Sequence, residues 1–138
     1  MGIVYTAEVE SSGDGRTGRV RSSDGLLDAR LTSPKEVGGA GDATNPEQLF
    51  AAGWAACFHS ALRLSARESG VSLRDDVVTA HVALNKGEGG FFLSAAIAVE
   101  LPGLRPEEAE RLAAQAHGRC PYSKAVHGNI EVLVTVKV

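Results

Sequence analysis

Two cysteines, one tryptophan and one methionine are all that the 138-residue chain carries of those types, and only 5% of it is aromatic. That cysteine count excludes a disulfide-dense secreted scaffold. Long hydrophobic runs are missing too: the longest, Leu49 to Phe58, is about half of what a membrane span needs. The start, MGIVYTAEVE, lacks the basic residues and apolar stretch of a signal peptide, and Gly2 with Thr6 sits in a strand-like run that suits myristoylation poorly. A cytoplasmic protein is expected, and in that reducing setting a static bridge between the two cysteines is not. Basic charge is not in excess either. Fourteen Lys and Arg against 17 Asp and Glu leave a net charge of −3, which offers nucleic acid or an anionic membrane nothing to hold. What is present is ordinary for a globular chain, 43% hydrophobic and 22% charged. There is no repeat or linker, so residues 1–138 are read as one domain.

The hydrophobic pattern predicts mixed elements. Ile3 to Val9 and Leu26 to Thr32 alternate as strands, the second with Leu27, Ala29 and Leu31 on one face. Between them SSGDGRTGR is a turn-rich connection holding Arg16 and Arg19, and a glycine-rich loop over 34–44 follows. Asn45 then fits an N-cap, Pro46 the first helical position and Glu47 the first turn, where the helix dipole favours a carboxylate. This helix is predicted to run to Glu68 and stop before Gly70. Phe50, Trp54, Cys57, Phe58, Ala61 and Leu62 form one stripe along it. Alanine fills the other side of its first half, so burial nearly all round is expected. Val77–Leu84 and Phe91–Leu101 read as a hairpin, Pro106 opens a second helix, CPYSKAV is a turn or short helix start, and a strand closes the chain after Asn129. That order, without a βαβ repeat, is α+β.

Cysteines Cys57 and Cys120 are the residues with most chemical potential. A cysteine on a buried apolar stripe ordinarily has a raised pKa and is inert, so Cys57 can act as a nucleophile only beside a fixed positive group. Arg16 and Arg19 are the candidates, since arginine stays charged when desolvated. A buried arginine needs a carboxylate, and Glu47 is the natural one. Glu47 and Cys57 are ten residues apart on one helix, about 15 Å along its axis. An Arg–Glu pair serving Cys57 is therefore expected to come from the partner subunit of a two-fold dimer. Cys120, before Pro121, is expected to be the more accessible thiol, near free amide N–H groups, and suited to resolving a sulfenic acid. Both cysteines could equally be packed small hydrophobes. With His59, His81, His117 and His127 the count allows zinc or a cysteine–histidine hydrolase, but no CxxC or HxxxH spacing supports a metal and nothing marks a base. GGAG and GEGG lack the lysine and following helix of a phosphate loop.

Three motifs carry a resemblance that spans the chain: GRTGRV with SSDG at 15–25, TNPEQLFAAGWAACF at 44–58, and AHGRCPYSKAVHGNI at 116–130. They resemble the organic hydroperoxide resistance branch of the Ohr/OsmC family, and CPYS favours that branch over OsmC proper. The resemblance implies an α+β fold with two β-sheets around two long central helices in an intertwined homodimer. It implies Cys57 as the peroxidatic thiolate, Cys120 as the resolving thiol, and Arg16, held by Glu47, as the activating cation. The chain departs from the family's more usual tyrosine at Trp54, which reshapes the pocket but leaves both cysteines in place. Phe50, Trp54 and Phe58 are the candidate pocket residues, suited to an organic or fatty-acyl peroxide. The implied reductant is a dithiol of the lipoyl type, with no metal or other cofactor. Two other classes remain open: a binding protein holding a fatty acid in an apolar groove with inert cysteines, and a redox sensor, for which no DNA-binding helix or basic face is present.

Overall fold

The Asn45 side-chain oxygen accepts the Gln48 N–H at 2.9 Å, satisfying one of the orphan donors at a helix start. In the computed structural model, which describes residues 1–138, this opens helix α1, Pro46–Glu68. Its end is equally local in origin. Gly70 takes a left-handed φ of 71°, so that its N–H returns to the Arg67 carbonyl at 3.2 Å and the Val71 N–H to Ala66 at 2.8 Å. Only glycine does this without a Cβ penalty. Along α1 the predicted stripe faces the core: Trp54, Phe58, Ala61 and Leu62 are buried, and Phe50 and Cys57 pack partly buried against them. Burial all round is corrected. Ala52, Ala56 and Leu64 are exposed, because one chain offers core to only one side of the helix.

Residues fall into two compact units, Met1–Leu49 and Phe50–Val138. In the first, β1 (Val9–Ser12), β2 (Arg19–Ser22) and β3 (Asp28–Arg30) form an antiparallel sheet in that order. The strand expected at Ile3–Val9 therefore begins only at Val9. Ile3, Tyr5 and Ala7 keep a period of two with Val9 but have no ladder partner and lie exposed. Only the two ends of the expected connection are strand, with Val9 facing Ser22 and Ser12 facing Arg19, and Gly15–Thr17 between them is a 3-10 turn. The second expected strand shortens to Asp28–Arg30 and continues only as a single bridge from Leu31 to Thr44.

The second unit holds the core. Strands β4 (Val77–Gly87) and β5 (Gly90–Glu100) form a hairpin closed by Gly87 opposite Gly90, and β6 (Val132–Lys137) pairs parallel to β5. Between β5 and β6 lie helices α2 (Pro106–Arg119) and α3 (Pro121–Val126). Pro106 takes the first turn of α2 with Glu107 and Glu108, and Ala109, Leu112, Ala113 and Ala116 form its buried face. These pack with Trp54, Phe58, Leu62, Ile97, Val99 and Leu101. The architecture is α+β, and no helix is long and apolar enough to cross a membrane.

Candidate active site

Helix α1 brings Cys57 to the junction of α2 and α3, where Cys120 sits. Both thiols are free, and Cys120 is near enough to act on the Cys57 thiol. Their exposures reverse the sequence expectation: Cys57 is partly exposed, whereas Cys120 is fully buried. The cause is the turn at Cys120–Pro121. The Cys120 N–H still bonds the Ala116 carbonyl at 2.8 Å while Pro121 opens α3, so the chain folds back over the core with the sulfur inside. Cys120 is the N-cap of α3, but its side chain caps no N–H there. The Tyr122 main-chain N–H acts on Cys57 instead.

Three influences set the Cys57 thiol. Burial pushes its pKa up, the Tyr122 N–H works in the opposite sense by favouring the thiolate, and the neighbouring Cys120 thiol adds to the rise. The net displacement is upward, away from a nucleophile active at neutral pH.

Arg16 and Glu47 meet within the first unit. Arg16 Nη1 donates to Glu47 Oε1 at 2.7 Å and to Oε2 at 3.0 Å. The carboxylate is the more enclosed partner, 14% exposed against 46% for the arginine. Glu47 lies in the first turn of α1, so its charge also suits the helix dipole. Arg19, the other candidate cation, pairs with Asp28 at 2.7 Å on the sheet.

Of the three aromatic residues assigned to a pocket, Phe50 lines an apolar one. An apolar pocket of ≈ 440 Å³ is walled by Phe50, Pro121, Tyr122, Ala125 and Val126. Trp54 and Phe58 are corrected to core residues, both 0% exposed. The Trp54 indole N–H donates to the buried Ser123 hydroxyl at 3.0 Å, which lets an amphipathic ring go fully inside. Phe58 packs against the His117 ring.

Sequence reasoning missed Tyr122, whose main chain acts on Cys57, and Ser123, which accepts from Trp54, although both stand in the CPYS run. It also missed Asp76, whose side chain is 1% exposed and receives His59 Nε2 at 2.6 Å and Arg63 Nε at 2.9 Å. Chiefly the Arg63 guanidinium, against an opposing effect of burial, lowers the Asp76 pKa to about 2. Nothing in the spacing of Asp76 from α1 could have signalled this. Of the other histidines, His81 and His127 are exposed, and no three metal-ligating side chains come together.

A two-cysteine site on an α+β frame of this topology has relatives. Residues 39–135 match the family model described as OsmC-like protein. The organic hydroperoxide resistance protein of Xanthomonas axonopodis pv. citri is 44% identical over 136 residues, covering 97% of this chain and 95% of that one. The Bacillus subtilis organic hydroperoxide resistance protein OhrA is 46% identical, covering 96% of each. Among solved structures, an organic hydroperoxide resistance protein from Legionella pneumophila superposes with a TM-score of 0.94 at 48% identity, covering 99% of this chain and 100% of that one. The chain belongs to the organic hydroperoxide resistance branch of the OsmC-like family.

Proposed function

We propose that the chain is a thiol peroxidase that reduces organic hydroperoxides to alcohols and serves in defence against them. The observation that carries this reading is the meeting of the Cys57 and Cys120 thiols, one partly exposed and one enclosed, beside an apolar pocket. The Cys57 thiolate attacks the distal peroxide oxygen. The O–O bond breaks, the alkoxide leaves and takes a proton as the alcohol, and Cys57 becomes a sulfenic acid. Cys120 displaces the sulfenic hydroxyl as water, forming a Cys57–Cys120 disulfide. A dithiol of the lipoyl type then returns both thiols by exchange, becoming a disulfide itself. The cycle needs no metal or other cofactor.

Such chemistry needs a cation, since burial raises the Cys57 pKa. Arg16, held by Glu47, takes that role towards Cys57 of a second copy, stabilising the thiolate and the developing charge on the peroxide oxygens. Exposed alanines on α1, and exposed Ile3, Val4 and Tyr5, suit a homodimer in which residues 1–138 work as one domain. Phe50 and its neighbours would receive the organic part of the peroxide in the cytoplasm.

The test is stopped-flow reaction of the reduced protein with cumene hydroperoxide and with hydrogen peroxide, followed by thiol count and intact mass. Fast loss of both thiols with the organic peroxide, and a mass lower by about 2 Da for one disulfide, is the expected result. Cys57→Ser should abolish it. Slow, equal reaction with both oxidants would sink the peroxidase and leave a binding protein whose apolar pocket holds a fatty acid.

A further inference from the structure

Gly53 stands in the middle of α1, where glycine is a poorer helix former than alanine. It is not among the residues with a positive φ, so conformational freedom is not what it supplies. Space is. A Cβ at position 53 would lie 2.8 Å from the Tyr122 hydroxyl oxygen, 3.0 Å from Cε2 and 3.1 Å from Cζ. Three atoms at the end of one ring therefore rest on bare helix backbone.

Gly53 precedes Cys57 by four residues, so the two occupy one face of the helix, a turn apart. Tyr122 spans both turns, with its ring end on Gly53 and its main-chain N–H acting on the Cys57 sulfur. Its neighbours leave it little slack. Cys120 is fully buried, Pro121 has a fixed φ, and the Ser123 hydroxyl is bonded to Trp54. Displacing the ring must move either the pocket wall or the main chain that faces the thiol.

We propose that Gly53 is a positioning residue: its bare backbone seats the Tyr122 ring, and that seat holds the Tyr122 main chain against Cys57. The inference rests on the reading above that Cys57 is the reacting thiol, and it extends that reading from the thiols to the segment that presents them. Tyr122 thereby couples the apolar pocket, whose wall it forms, to the state of the sulfur.

The experiment measures the rate of Cys57 alkylation by iodoacetamide against pH in a Cys120→Ser background, with no peroxide present. Gly53→Ala should raise the apparent thiol pKa by about half a unit to one unit, slowing alkylation near neutrality about three- to tenfold. The melting temperature should change little, because alanine's better helix propensity offsets the strain of displacing the ring. Tyr122→Ala should shift the profile in the same direction, and the double variant no further than Tyr122→Ala alone. A wild-type profile for Gly53→Ala, or shifts of the two variants that simply add, would overturn the proposal. Should Gly53→Ala not fold, an unshifted profile for Tyr122→Ala overturns it and a shifted one upholds it. Because the readout is alkylation, a protein that fails as a peroxidase can still pass or fail this test.

Discussion

Replacing Asp76 by asparagine should make the acid dependence of stability visible at one residue. In the folded protein the Asp76 pKa lies at about 2, against 3.8 for the free side chain. At 1.36 kcal/mol per unit the full shift would be worth about 2 kcal/mol. Its partners are wet, however: Arg63 is 53% exposed and His59 33%. Solvent screening of such a pair reduces the expected value to about 1 kcal/mol. The sign follows from linkage. A carboxyl with a depressed folded pKa contributes its full stability above pH 3.8 and loses it as pH falls from there towards 2. Urea unfolding of wild type and Asp76→Asn at intervals from pH 7 to pH 2 gives the comparison. Taking the difference between the two proteins removes the titration of every other carboxylate. The variant should be less stable by about 1 kcal/mol at pH 7, and the gap should narrow steadily below pH 4. A gap that stays constant down to pH 2 would refute the reasoning, because the cost would then be one of shape and not of charge.

Two further tests bear on the site and its support. Ser123→Ala leaves the buried Trp54 N–H without its acceptor and should cost about 1–3 kcal/mol in chemical denaturation, whereas in a Trp54→Phe background, with no N–H to satisfy, the same change should cost less. Co-refolding inactive Arg16→Gln with inactive Cys57→Ser should restore about a quarter of wild-type peroxidase activity, since half the dimers would be mixed and each mixed dimer would own one whole site. No recovery would place Arg16 and its cysteine on one chain.

Legibility of the fold in the sequence tracked the chemistry of each segment. Helix α1 was readable to the residue, because Asn45, Pro46 and Gly70 act on the backbone locally and their bonds form as the sequence implies. The face of α2 and the alternation of β6 were readable because both pack on one core. Strands β1 and β2 were not. Residues of β1 are exposed throughout, so no alternation of polar and apolar residues marks them, and pairing alone fixes their register. Ile3 to Val9 misled for the opposite reason, since a period of two at Ile3, Tyr5, Ala7 and Val9 forms no strand without a partner. At the site, the importance of both cysteines was legible, but their relative accessibility was not. Local sequence places Cys120 at a turn; only the packing of α3 over the core puts its sulfur inside. The Trp54–Ser123 and Asp76–Arg63 contacts join residues whose spacing carries no periodic signal.

The parallel pairing of β5 with β6 has a consequence for how the chain is made. A parallel partner cannot arrive by a tight turn, and here the intervening crossover is α2 and α3, with Cys120 at their junction. Cys57 leaves the ribosome long before Cys120, and β6, the last strand, follows both. During synthesis the first thiol must wait through the hairpin and the whole crossover before its counterpart is delivered. Docking of that crossover on the core shared with α1 is the event that makes the two sulfurs neighbours. Maturation of the thiol pair is thus tied to the slowest kind of contact in the topology, one between distant parts of the chain.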